Sequence, residues 1–228
     1  MPNTKTYYVE DRKSWKNEYG IIIKHLPSIT ETLAFVQKYK SLDKEPLRIV
    51  DYGCAYGYYL SILKIINPNH DLYGVDCAKE AVEFTARIVG NDHTFWARCG
   101  EPLPLEDNSV DVILCFDLIE HVKDKNELIA FFKECARLIK PQGYVFIRTP
   151  NCNFPMRVLF RLAGKSWICK GKEHPSPFTE KKLANISEPY LRTIEVSYAA
   201  GIISKYKFLH RLKVSTHFTF VLTKLVQF

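Results

Sequence analysis

The sequence predicts an α/β fold in which a mostly parallel β-sheet is covered by helices on both faces. Three observations carry that expectation. Apolar runs suited to buried strands alternate five times with amphipathic helical stretches between residues 47 and 148. The residues best able to carry chemistry are Asp51–Gly57, Asp76, Cys99–Glu101, Asp117–His121 and Thr149–Asn151. All of them fall just past the carboxyl ends of those runs, where ligands bind in open α/β sheets. The first run reads Arg48-Ile-Val-Asp51-Tyr52-Gly53-Cys54-Ala55-Tyr56-Gly57. It ends in an acid followed by two glycines, the pattern of a strand entering a tight loop that approaches a ligand through its backbone.

The elements follow in order. Residues 7–40 carry Trp15, Tyr19, Ile22, Leu26, Ile29, Leu33 and Val36 at helical spacing, with Pro27 splitting the stretch and Ser28 or Thr30 capping the second helix. The first strand is Leu47–Asp51. A helix spans Tyr58–Ile66 and stops before Asn67-Pro68-Asn69. A strand at His70–Val75 ends in Asp76, and a helix at Lys79–Val89 closes on Gly90. A short strand covers His93–Ala97, and residues 110–116, Val-Asp-Val-Ile-Leu-Cys-Phe, form another apolar strand, after which Asp117 opens a loop. Asn126–Leu138 is an amphipathic helix ending before Pro141-Gln-Gly143; Tyr144–Arg148 is the fifth strand, broken by Thr149-Pro150-Asn151. Asn153–Lys172 reads as one short basic amphipathic helix. Arg192–Ala199 and Thr216–Leu225 alternate enough to be antiparallel strands.

Bulk properties narrow the function. At 228 residues, 46% hydrophobic and 25% charged, the composition is that of an ordinary globular domain. Net charge is +7, concentrated late: residues 157–228 hold 13 Lys/Arg against 4 Asp/Glu, whereas residues 1–156 hold 19 against 21. The asymmetry hints at an anionic partner near the C-terminal part, the alternative being a solvated basic face; dispersed cations argue against a nucleic-acid module. Seven cysteines without a C-x-x-C pair fit buried reduced thiols and a cytoplasmic protein, and argue against a cysteine zinc site. The start, Met-Pro-Asn-Thr-Lys-Thr-Tyr-Tyr, lacks the apolar core of a signal peptide. The first loop is neither G-x-G-x-x-G nor a Walker P-loop.

Further segments join the first loop in a linked series. They are Gly74-Val-Asp76, Leu103-Pro-Leu-Glu-Asp-Asn-Ser-Val-Asp111, Asp117-Leu-Ile-Glu120-His121-Val, Leu138-Ile-Lys-Pro141-Gln-Gly143 and Ile147-Arg-Thr149-Pro150-Asn151. Over residues 47–151 the chain resembles the class I S-adenosylmethionine-dependent methyltransferases, in particular the small-molecule, ubiquinone-biosynthesis-like subgroup. The resemblance implies a three-layer, Rossmann-like, seven-stranded sheet, mostly parallel with a C-terminal antiparallel strand. It implies one methyltransferase domain: a helical cap at 1–40, a cofactor-binding core at 47–151, a lid at 152–180 and C-terminal strands at 190–228.

The same resemblance implies S-adenosylmethionine as cofactor. Asp51, Tyr52, Gly53, Cys54 and Gly57 match the loop facing its methionine part, with Ala55 replacing the usual middle glycine. Asp76 matches the acid that accepts from both ribose hydroxyls, with Cys77 beside the adenine. Cys99, Gly100 and Glu101 stand at the adenine edge, where Cys99-Gly100 departs from the usual Asp-Ala pair. Phe116, Asp117 and Leu118 line the methionine end. His121 is the leading general base, His174 the second candidate, and Glu120 accompanies them. Asp117, Glu120, His121 and His174 also resemble a divalent-metal site of some relatives, although most members work without metal.

The expected reaction is methylation of a hydroxyl on a small-molecule acceptor in biosynthesis, by a monomer or homodimer, with no nucleic-acid partner. The 153–172 segment forms a lid over a hydrophobic acceptor, a peripheral contact with anionic membrane or, in its ordinary reading, a helix packed on the core. An RNA or protein methyltransferase, or a non-catalytic module of the same fold, are the alternatives; no Asn/Asp-Pro-Pro-Tyr motif is present.

Overall fold

The computed structural model describes residues 29–172, 174–198 and 216–225. Residues 29–37 are helical (α1). There follow β1 (Arg48–Tyr52), α2 (Tyr58–Ile66), β2 (Asp71–Asp76), α3 (Lys79–Val89), β3 (Thr94–Trp96), β4 (Val110–Phe116), α4 (Lys125–Leu138) and β5 (Ile139–Pro150). The later elements are α5 (Phe154–Leu162), α6 (Trp167–Lys170), α7 (Glu180–Ser187), β6 (Leu191–Ser197) and β7 (His217–Lys224). Short 3₁₀ turns occupy Asn91–His93 and Ile119–His121.

The seven strands lie in the order β3-β2-β1-β4-β5-β7-β6. Strands β1 to β5 are parallel, and β7 runs antiparallel to both β5 and β6. The expected seven-stranded architecture is therefore present. Successive residues of β1 and β4 face opposite layers. Ile49, Val112 and Leu114 pack with Ile29, Leu33, Leu60 and Leu63 of α1 and α2. Val50, Ile113 and Cys115 pack with Leu128, Phe131, Phe132 and Leu183 of α4 and α7. A strand buried on both faces is largely apolar, which is why β4 is apolar at every position except Asp111, whose carboxylate accepts from Lys140 and from Arg48 N–H. The connections from β1 pass to β2 on one side and β4 lies on the other, so the strand order reverses beside Asp51 and Phe116.

Three expectations change. Strand β5 continues through Pro150 because β7 pairs beyond Arg148, joining Thr149 to Phe218 and Pro150 to His217. The 153–172 stretch is two helices. After α5 the chain turns at Gly164 (φ +68), where Gly164 N–H donates to Arg161 O and Lys165 N–H to Phe160 O. That reciprocal pair is the glycine-terminated helix stop. Cys152 and Cys169 are joined in a disulfide across the hairpin so formed, which departs from the expectation of reduced thiols. Cys54, Cys77, Cys99, Cys115 and Cys135 are free. The split at Pro27 and a cap at Ser28 lie outside the described residues; Thr30 is already inside α1. Among the described residues no helix is long and apolar enough to cross a membrane.

The disulfide closes a segment with a sequence separation of 17. Its removal by Cys152→Ser with Cys169→Ser is expected to cost about 3 kcal/mol through the entropy returned to the unfolded chain. Calorimetry of the variant checks this as a lowered Tm, with β-sheet circular dichroism retained.

Candidate active site

The glycine loop is held from below by β2. Gly53 N–H and Cys54 N–H both donate to Val75 O, at 2.8 and 3.0 Å. Gly53, Ala55 and Gly57 all have positive φ, so the loop coils with its amides turned inward. At Gly53 a Cβ would meet Leu118 Cβ at 3.1 Å, so only glycine lets the loop after β1 approach the loop after β4. Asp76 clasps the loop from the side. Its Oδ2 accepts from Ala55 N–H (2.9 Å) and its Oδ1 from Ala78 N–H (2.8 Å). Burial raises the Asp76 pKa, opposed by those backbone donors.

Asp51 is buried beside them, and its Oδ2 has no hydrogen-bond partner. Burial, with the charge of Asp76 adding, pushes its pKa up to about 8. A buried acceptor without a donor is costly unless a ligand supplies one.

The other expected cofactor residues divide. The Tyr52 ring stands in the core, edge-on to Phe131 at 5.2 Å, so this residue offers the loop only backbone. The Cys54 thiol is buried under Gly74 and 3.8 Å from Thr85 Oγ1. Cys77 is exposed beside Asp76, and its carbonyl accepts from the Trp96 indole at 2.9 Å. Gly100 (φ +87) is glycine for packing reasons: a Cβ there would lie 2.6 Å from Glu127 O on α4. The Cys99 thiol belongs to the same packing and burial pushes it up to about 12. Glu101 turns outward, its Oε2 accepting from Arg98 N–H.

Past β4, Asp117 takes φ +54 and its Oδ2 meets Arg148 Nη2 at 2.5 Å. His217 Nε2 stands 3.6 Å from Asp117 Oδ1. Burial favours the neutral acid, but Arg148 and then His217 outweigh it and hold Asp117 below the usual carboxylate range. Arg148 also donates to Thr32 Oγ1 of α1 and lies over the Phe116 ring, 5.4 Å from its centroid; Phe116 in turn meets Tyr59 of α2 at 4.9 Å. Arg148, Thr32, Tyr59 and His217 were not singled out from the sequence. Only Arg148 carried a signal, its place in the Ile147-Arg-Thr149-Pro150-Asn151 run.

A second cluster adjoins. Glu120, His121 and His174 bring one ligand atom each within 4.8 Å of one another. Glu120 is buried and accepts from Thr149 Oγ1 at 2.9 Å; burial and the Asp117 charge push its pKa up to about 8. His121 and His174 pack edge-on at 4.9 Å. His174 Nδ1 lies 2.9 Å from Ile168 O. A carbonyl only accepts, so Nδ1 carries the proton and Nε2 keeps its lone pair in the neutral ring. The loop bearing His174 is strapped down by Ser176 N–H to Glu120 O and Cys152 N–H to Phe178 O. Asp117, expected in the metal set, is instead committed to Arg148.

Residues 24–190 match the family described as a methyltransferase domain, which is most of the chain. The chain belongs to that family, and its class is that of the class I S-adenosylmethionine-dependent methyltransferases. The ubiquinone biosynthesis O-methyltransferase of Bordetella avium is 30% identical over 128 residues, covering 54% of this chain and 50% of that protein. A probable S-adenosylmethionine-dependent methyltransferase of Mycobacterium tuberculosis is 31% identical over 103 residues, covering 45% and 35%. The chain thus spans about half or less of the length of these curated relatives. The crystal structure of magnesium protoporphyrin IX methyltransferase from Synechocystis PCC 6803, with bound SAH, superposes with a TM-score of 0.65 at 14% identity, covering 98% of this chain and 96% of that one. It shares the fold.

Because the folded-state pKa of Asp51 lies above its unfolded value, the native state binds that proton more tightly. Its contribution to stability is full below about pH 4 and is lost as pH rises toward 8. Asp51→Asn is expected to remove this loss, worth on the order of a few kcal/mol by pH 8. Ligand-free unfolding midpoints measured from pH 4 to 9 should fall with pH in the wild type more than in the variant.

Proposed function

We propose that this chain transfers a methyl group from S-adenosylmethionine to a hydroxyl oxygen of a small-molecule acceptor. The observation that carries the reading is His174, whose Nδ1–H is held by Ile168 O, leaving the lone pair on Nε2, and whose ring clusters with Glu120 and His121. The O-methyltransferase names of the curated relatives support the hydroxyl acceptor.

The residues at the strand ends fit the cofactor. Asp51 Oδ2 is a buried acceptor suited to an ammonium group, Asp76 is placed for ribose hydroxyls, and Gly53 and Gly57, in left-handed conformation, let the loop backbone come close to the cofactor. Phe116 and Leu118 wall the methionine end. When bound, the cofactor supplies an electrophilic methyl group on a sulfonium. The chain's own task is to hold the acceptor in line and to take its proton. His174 Nε2 receives that proton, and its ring is kept oriented by the Ile168 carbonyl. His121, edge-on to it, confines the acceptor oxygen. Glu120 is shielded from water and changes protonation near neutrality, so it is poised to pass the proton on. The Asp117–Arg148 pair fixes the loop that carries Glu120 and His121. Positioning of this kind supplies several kcal/mol of barrier lowering, by order of magnitude.

The test is transfer of labelled methyl from S-adenosylmethionine to a panel of phenolic and aliphatic hydroxyl acceptors. His174→Gln is expected to lower kcat about 10²–10⁴-fold with little change in cofactor affinity. Asp76→Ala should abolish cofactor binding by calorimetry. Transfer to nitrogen acceptors or to RNA alone would displace the hydroxyl reading.

The spacing of Glu120, His121 and His174 supports a second reading, in which a divalent cation at these three side chains lowers the acceptor hydroxyl's pKa. Two ligands of one ion at about 2.1 Å stand at most about 4.2 Å apart, so side chains spaced up to 4.8 Å must draw inward. On the metal-free reading, activity after exhaustive chelation is unchanged and does not respond to Mg²⁺ or Zn²⁺; loss on chelation with recovery on readdition would establish the cation.

A further inference from the structure

Helix α5 presents a face that nothing among the described residues covers. Around its axis the side chains fall into three sectors. Met156 and Phe160 point inward and pack against Cys152, Cys169 and Ile168. Phe154, Pro155, Val158, Leu159 and Leu162 occupy one continuous outward sector; Phe154 and Leu162 are each 80% exposed. Arg157 and Arg161 flank that sector, with Lys165 just past the helix end, all exposed. Trp167, half exposed, follows on α6 with its ring 5.6 Å from that of His174. Residues 152–172 contain no Asp or Glu. Water-facing helices of globular proteins place polar residues outward. This one has its large apolar side chains there, beside cations, with a tryptophan at the margin.

We propose that α5 and Trp167 form a docking surface for an anionic lipid bilayer. The apolar sector enters the headgroup–acyl boundary while Arg157, Arg161 and Lys165 meet lipid phosphates, the arrangement of an interfacial amphipathic helix. Charge selects this occupant: an exclusively cationic rim on an apolar face matches a negatively charged bilayer, whereas a second copy of the chain would bring the same cations against each other. The surface is pre-formed. The disulfide and the inward sector fix α5 to the base of β5, and Arg157 Nε donates to Cys152 O at 2.7 Å, which orients its guanidinium. The surface also adjoins the candidate site. Pro150 ends β5 two residues before Cys152, and Ile168, whose carbonyl holds His174, lies in α6. A docked bilayer would therefore sit close to His174, where a lipophilic acceptor could enter without crossing water. The docking proposal rests on α5 itself and holds whichever acceptor atom is methylated.

The experiment is flotation of the full chain with phosphatidylcholine vesicles, with and without phosphatidylglycerol. Co-flotation is expected with the anionic vesicles, weakening in high salt. Phe154→Glu with Leu162→Glu should reduce it at least about tenfold, with the thermal midpoint and calorimetric cofactor binding unchanged. Arg161→Glu, which keeps the apolar sector, should weaken binding to anionic vesicles only. A blue shift of tryptophan emission on binding should vanish in Trp167→Phe. Absence of binding to anionic vesicles, or equal binding by the wild type and the double Glu variant, would overturn the proposal. So would a wild-type dimer that the double Glu variant converts to monomer.

Discussion

The ion pair between Asp117 and Arg148 is the constraint on which the candidate site depends. It joins the carboxyl ends of two adjacent parallel strands, and its cation reaches Thr32 of the first described helix while its acid faces His217 of the antiparallel strand. Four separate parts of the chain meet at one partly buried charge pair. Removing either partner leaves the other without its counter-charge and loosens the contacts with Thr32 and His217. The energetic logic is therefore one of specification: alternative placements of α1 or β7 leave the pair without Thr32 or His217.

The same economy runs through the glycine loop. Asp76 is occupied with backbone amides of the loop it supports, whereas Asp51 is left with an unanswered oxygen. One carboxylate builds the cradle, and the other bears the cost of emptiness. A ligand that supplies the missing donor returns that cost as affinity. Stability without ligand has been exchanged for binding, as is usual where function asks for a local exception to good packing.

How much of this the sequence discloses depends on whether the cause is local. Tyr58–Ile66 and Lys79–Val89 are legible to the residue because helical periodicity and their stops, Asn67-Pro68 and Gly90, lie in the same stretch. Strand β4 is legible because burial on two faces writes itself as an apolar run. The extent of β5 is not, because Thr149 and Pro150 become strand only through a partner far along the chain. His217 is missed for the same reason: nothing near it announces chemistry, and antiparallel pairing alone brings it to Asp117. Tyr52 and Gly100 illustrate the converse. Each sits within a stretch matching a cofactor motif, yet one ring fills the core and one missing side chain admits α4. A motif identifies a stretch of backbone; which side chains face the ligand is settled by packing. The Cys152–Cys169 bond required the hairpin turn at Gly164, which an uninterrupted amphipathic reading had smoothed over.

The strand order carries a further consequence for how the molecule comes into being. Because β7 lies between β5 and β6, β6 has no place in the sheet until residues 217–224 have arrived. During synthesis the nascent chain exposes the edge of β5, holds Asn151 without the Thr216 carbonyl to which it donates, and lacks the imidazole beside Asp117. Closure waits on a pairing between segments distant in sequence, the slow kind of contact to form. Assembly of the sheet is thus also assembly of the site, and a partly made chain has neither.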